Sequence, residues 1–270
     1  MMNAFGVIFG VEAVQGSVME FRFDSQVIAV NRPTRAALLD DIANRLAQRV
    51  GFSLATLNLD HLVKLSRSEP FRRAYAEQDI VVADGHPVVW LSRLAGRHIT
   101  LLPGSDLVVP LARLAAEAGV SVAFLGSTED ALERASEALT EQAPGLRVVA
   151  RIAPPFGFDP ESAEADRMLD EIGASGAGLC FIALGAPKQE LLAARARMRL
   201  PEVGFASVGA GLDFLSGRQE RAPLWMRQLA LEWAWRMGSD PARLVPRYIA
   251  CAAILPRQVI AALWQRGRRD

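Results

Sequence analysis

"VSVAFLGSTEDALERASEALTEQAPGLRVVARI" occupies residues 120–152, and its reading decides the fold. Two near-continuous apolar runs of strand length, 120–126 and 146–152, enclose an amphipathic helical pattern at 128–141. An apolar strand without polar alternation belongs in a sheet covered on both faces, and a strand–helix–strand order makes that sheet parallel. The same alternation extends outward in both directions. Further strands are expected at 52–58, 79–84, 178–185 and 203–209, with helical segments near 34–49, 61–77, 86–96, 105–118, 160–173 and 187–199. The opening, about 5–31, is β-rich. The expectation is an α/β class protein with a Rossmann-like, mostly parallel sheet and helices on both faces.

After Gly217 the alternation stops. From Arg218 to Asp270 there are ten arginines, no lysine and four carboxylates, together with Trp225, Trp233, Trp235 and Trp264 out of five tryptophans in the chain. The whole chain is neutral, with 30 basic and 30 acidic residues, so this tail is positive by about six and the remainder negative by as much. We therefore divide the chain into a core, 1–217, and an Arg/Trp-rich helical appendage, 218–270, that needs an anionic partner. A solvated basic helix, a nucleic-acid footprint and a helix lying on an anionic membrane are the competing readings. Overall neutrality and the lack of a recognisable binding motif argue against nucleic acid. No run reaches the roughly 18 uninterrupted apolar residues of a transmembrane helix. The closest, "YIACAAILPRQVIAALW" at 248–264, is broken by Pro256 and Arg257. With no secretory signal and only Cys180 and Cys251, the chain reads as cytosolic, Cys180 as a buried reduced thiol.

Several chemistries are excluded by their missing signatures. "GAGLDF" at 209–214 has Phe214 where a dinucleotide fingerprint needs its third glycine, and it lies too late in the core. No phosphate-binding P-loop, G-x-S-x-G or H-E-x-x-H occurs, and no D-x-D pair is present to hold a metal on a diphosphate. Neither cofactor nor metal is expected.

In a parallel sheet ligands bind at the carboxyl ends of the strands. Those ends carry Thr56 and Asn58, then Asp84 and Gly85, Gly126, Gly185 with Gln189 just beyond, and Gly209 with Asp213. Glycines let a ligand approach the backbone, although Gly also simply ends strands. Asp84, directly after "DIVVA", is either a helix cap for the segment at Pro87 or a general base in a partly dry cleft. Thr56 and Asn58 are short polar groups suited to a sugar or to orienting that carboxylate. Asp213 reads equally as a loop cap.

Taken together, "TLNLDHLVKL" (56–65), "VVADGHPVVWLSRLAG" (81–96), "PGSDL" (103–107), "LGAPKQE" (184–190), "VGAGLDFLSGRQERAPLWMRQLALEWAWR" (208–236) and "DPARLVPRY" (240–248) resemble the WecG/TagA/CpsF family of bacterial glycosyltransferases. The sequence departs from the family pattern in "TLN" for "TPN" or "TAN", in His86 after "ADG", and in "GAGLDF", which moves an aromatic across Asp213. The resemblance implies an inverting, metal-independent hexosyltransferase that uses a UDP-sugar donor of the UDP-N-acetylmannosamine or UDP-glucose type. It implies a polyprenyl-diphosphate-linked saccharide as acceptor and a place on the cytoplasmic membrane surface. Carried over by motif position, Asp84 is the base, Thr56 and Asn58 its polar neighbours and Gln189 the glutamine of the P-K-Q-E loop; with the strand-end residues Gly85, Gly126, Gly185, Gly209 and Asp213, Gln189 makes up the expected substrate-binding edge. Arg236, Arg243 and Arg247 are the arginines that complete the site. Trp264, Arg266, Arg268 and Arg269 lie beyond the matching block and are expected at the membrane. A homo-oligomer stays open, and the rival readings are an NAD-dependent nucleotide-sugar epimerase or dehydrogenase and a non-catalytic polysaccharide assembly protein.

Overall fold

The computed structural model describes residues 18–267; the earlier part of the β-rich opening, and Arg268 and Arg269, lie outside the described residues. A hairpin of β1 (Met19–Phe23) and β2 (Gln26–Val30) comes first, followed by α1 (Arg35–Gln48), β3 (Phe52–Leu57), α2 (Leu59–Arg67), α3 (Glu69–Ala76), β4 (Ile80–Ala83) and α4 (His86–Leu94). Next are α5 (Gly104–Glu117), β5 (Val122–Gly126), α6 (Glu129–Gln142), β6 (Val148–Ile152), α7 (Ala163–Ser175), β7 (Leu179–Ala183), α8 (Lys188–Arg199) and β8 (Gly204–Ser207). The short α9 (Gly211–Leu215) and α10 (Leu224–Gln228) lead to α11 (Glu232–Ser239) and the long α12 (Pro241–Gly267).

Strands β3 to β8 form one six-stranded sheet in the order β4-β3-β8-β7-β5-β6, parallel at every pairing. All six were expected from their apolar runs. In β3, β5 and β8 every residue is buried, because helices cover both faces; β6, at one edge, alternates. Leu54, Phe124, Phe181 and Ala206 point into the core under α1, α5 and α6, while Leu125, Cys180, Ile182 and Phe205 face α7 and α8. The opposite edge strand, β4, is closed by Asn31. Its Oδ1 accepts from Val81 N at 2.9 Å and its Nδ2 donates to Asp79 O at 2.9 Å, so no bare edge is offered for further pairing.

Two local differences from the sequence reading have plain causes. The helix expected at 61–77 is two helices, because Ser68 leaves helical geometry, ends α2 and caps α3 by accepting from Phe71 N, with Pro70 in the first turn. Conversely, α12 runs through Pro246 and Pro256 as one helix and, by length and composition, is apolar enough to cross a membrane. An interior proline costs a helix about 3 kcal/mol. Here tertiary packing offsets that cost: Leu244, Cys251, Gln258 and Ala262 are buried on one face, against α2 and α4. The end of α12 is tied down as well, since Gln265 Nε2 donates to Glu20 O at 2.6 Å and Gln265 Oε1 accepts from Glu20 N at 3.4 Å. The tail helix is thus a cover of the same hydrophobic cluster that holds the β1–β2 hairpin.

Candidate active site

Because the sheet is parallel, the carboxyl ends of β3, β4, β8, β7 and β5 share one edge, and the expected residues Asn58, Asp84, Gly209, Gly185 and Gly126 line it. Asp84 follows β4 directly, its N–H donating to Leu57 O at 2.8 Å. The helix α4 beyond it begins without a side-chain cap, so Asp84 is not spent as one. Gly85 supplies the turn with φ 99°, a region open to glycine and costly to other residues. Burial raises the Asp84 carboxyl to about 6; the Arg236 charge and a hydrogen bond from Asn58 pull it back, and Glu232 and Asp106 push it up further. This is a carboxylate poised near neutrality, which general-base work requires.

Asn58 is held in place by its own helix. Its Oδ1 caps α2 by accepting from His61 N at 3.0 Å, and its amide NH₂, 3.4 Å from His61 Nε2, also acts on Asp84. Behind it lies His61, whose Nδ1 is 3.0 Å from the Tyr75 hydroxyl. Burial, reinforced by the nearby Lys64 charge, lowers this imidazole to about 3, so it is neutral and structural. Thr56 is buried below the edge, and its methyl fills the space that glycine leaves at Gly104.

The structure gives the other expected residues more varied places. Gln189 is buried with both amide ends engaged: Nε2 donates to Glu190 Oε1 at 2.8 Å, and Oε1 accepts from Gly209 N at 3.2 Å. It braces the turn after β8. Glu190, fully buried and raised to about 7 by desolvation, leaves Oε2 without a hydrogen-bond partner among the described residues. Gly126 serves the backbone, since a Cβ there would lie 2.3 Å from Ala183 O. Gly185 (φ 72°) precedes the cis Ala186–Pro187 bond, and the Ala186 carbonyl accepts from Lys64 Nζ at 2.9 Å. Asp213 accepts from Ser127 Oγ and, at 2.7 Å, from Gln219 Nε2, while Arg218 Nη1 lies 3.5 Å away.

The three tail arginines do not act as one group. Arg236, on α11, pairs with Glu232 at 2.7 Å, faces the Phe214 ring and acts electrostatically on Asp84. Arg247 Nε lies 3.1 Å from Asp60 Oδ1, on α2, without the alignment of a hydrogen bond. Arg243 is exposed and, among the described residues, pairs locally with Asp240 at 2.7 Å. Sequence reasoning missed Arg221, which pairs with Asp106 at 2.5 Å and faces the same Phe214 ring. Its place in "RAP", directly after the basic and acidic cluster 218–220, was the available signal. Among the described residues no group of three His, Cys, Asp or Glu side chains is arranged to hold a metal ion.

The family model described as "Glycosyl transferase WecG/TagA/CpsF family" matches residues 25–270. Among curated proteins, the chain is similar to the N-acetylglucosaminyldiphosphoundecaprenol N-acetyl-beta-D-mannosaminyltransferase of Bacillus spizizenii strain W23. The two are 26% identical over 211 residues, covering 76% of this chain and 79% of the relative.

Proposed function

We propose, from the premise that the chain belongs to the WecG/TagA/CpsF family of glycosyl transferases, that it moves N-acetylmannosamine from a UDP-linked donor to N-acetylglucosamine on a polyprenyl diphosphate. The observation that carries this reading is the place of Asp84: a non-capping carboxylate directly after β4 at the carboxyl edge of the sheet, which burial raises to about 6 against the Arg236 charge. In the step proposed, the acceptor hydroxyl gives its proton to Asp84 as its oxygen bonds to the anomeric carbon. The bond from that carbon to the diphosphate oxygen breaks on the opposite face, and its electron pair leaves with UDP. Arg236 and Arg221 stabilise the charge that develops there in this reading, so no metal is required. An α-linked donor gives a β-linked product. The test is the product of UDP-N-acetylmannosamine and a short-chain prenyl-diphosphate N-acetylglucosamine. A β-linked disaccharide by proton NMR supports the reading; an α-linkage, or no transfer, opposes it.

We further assign the segment 218–270 as the appendage that closes this edge and meets the inner face of the cytoplasmic membrane. Leu224, Trp225, Leu229, Trp233, Ile249 and Trp264 are all exposed apolar side chains of this basic segment. Apolar rings set among arginines suit an anionic bilayer. Sedimentation with phosphatidylglycerol vesicles, weakened by Trp225→Ser, supports this assignment. A concentration-dependent dimer that the same change disrupts assigns the face to a second copy instead.

A further inference from the structure

Phe214, half-buried in α9, is faced by two guanidinium groups from different segments. Arg221, in the loop after α9, and Arg236, on α11, each place Cζ 5.8 Å from the ring centroid. Each also has a carboxylate partner, Asp106 on α5 for the first and Glu232 on its own helix for the second. Two cations brought to one site repel, and a partly exposed i,i+4 pair such as Arg236–Glu232 fixes its members only weakly. The aromatic face adds attraction for both without consuming any of their N–H donors. One of those donors, Arg221 Nε, is buried with no hydrogen-bond partner among the described residues.

We propose that Phe214 is a positioning residue whose ring holds Arg221 and Arg236 as a pair at this edge of the sheet, so that Arg236 is kept within reach of Asp84 and both cations face the departing diphosphate. The proposal rests on the reading of Asp84 as the base. The groups that act on Asp84 are the Asn58 amide, Arg236 and Glu232 on α11, and Asp106 on α5, with the Tyr75 phenol on α3 coupled to it in turn. Of the charges, Arg236 is the largest influence opposing the upward push of burial. Releasing it from the ring raises the titration of Asp84.

The test is carboxyl carbon NMR of the full chain across pH, with the Asp84 signal assigned by its loss in Asp84→Asn. In Phe214→Leu the titration should move up by about half a unit to one unit, because an adjacent opposite charge is worth about one to three units and displacement removes part of it. The acid limb of the kcat profile should move with it. Phe214→Tyr keeps the aromatic face and should restore the original midpoint, whereas Arg236→Gln should reproduce the upward shift. If Phe214→Leu loses native near-ultraviolet circular dichroism, Phe214→Met takes its place. An unmoved midpoint in a folded Leu or Met variant, with Arg236→Gln shifted, overturns the proposal. Full turnover in Asp84→Asn overturns the base reading instead, and the NMR midpoints still decide whether Phe214 positions Arg236.

Discussion

Asp84→Asn should make the protein more stable while disabling it. The folded state holds this carboxyl at about 6 against an ordinary 3.8, chiefly through burial. That interval, at about 1.4 kcal/mol per unit, sets an upper bound of about 3 kcal/mol on the cost of keeping Asp84 ionised. The sign follows from proton binding: between about pH 4 and 6 the folded chain binds more protons than the unfolded one, so this group's contribution falls as pH rises. Above about 6 the full cost is present. Asparagine carries no charge, and its Oδ1 can still accept from the Asn58 amide. The variant should therefore exceed the wild type by about 2–3 kcal/mol at pH 8, or about 5 °C in Tm for a chain of this size. The advantage should close toward pH 4. Urea unfolding of both proteins at pH 4.5 and 8 measures it, since other titrating groups cancel in the difference. A variant no more stable than wild type at pH 8, or a difference independent of pH, would refute the desolvated carboxylate.

Four further outcomes follow from the geometry. Gly126→Ala should cost about 3 kcal/mol or more in urea unfolding, since its Cβ meets Ala183 O at 2.3 Å with φ at 122°. Gly185→Ala, with open space around it, should cost only the positive-φ strain of about 1–2 kcal/mol. Truncation after Tyr248 should lower stability and expose hydrophobic surface to dye, because Cys251, Gln258 and Ala262 are buried and Gln265 is bonded to Glu20. In steady-state assays containing EDTA, Arg236→Ala should reduce kcat by about tenfold or more, and the exposed Arg243→Ala by less than about twofold.

The sheet was legible because buried parallel strands are written as continuous apolar runs, and each of the six announced itself that way. Asp84 was legible for a related reason: a lone acid after such a run stands out. Asn58 could be seen as a polar neighbour, but its capping of α2 while its NH₂ acts on Asp84 depends on three-dimensional direction. Gln189 stands in the sequence just beyond the Gly185 edge, yet its amide is closed between Glu190 and Gly209, a pairing across α8 and β8 that local sequence does not encode. The cluster of Arg221, Asp106, Phe214 and Glu232 was invisible for the same reason, since it draws on α9, α5, α11 and a loop. The spacing of Leu224, Leu231 and Trp235 predicts one apolar stripe on one helix, but Ala230, at φ 60°, separates α10 from α11 and breaks it.

The central claim, that Asp84 is the base of an inverting transfer, is tested most directly by single-turnover kinetics of Asp84→Asn beside the wild type. Both proteins are loaded with UDP-N-acetylmannosamine and the prenyl-diphosphate acceptor at pH 8 in EDTA, with UDP affinity measured in parallel. The account predicts transfer slowed by about 100-fold or more with UDP affinity unchanged, the usual worth of a general base. Transfer within about threefold of wild type would contradict it.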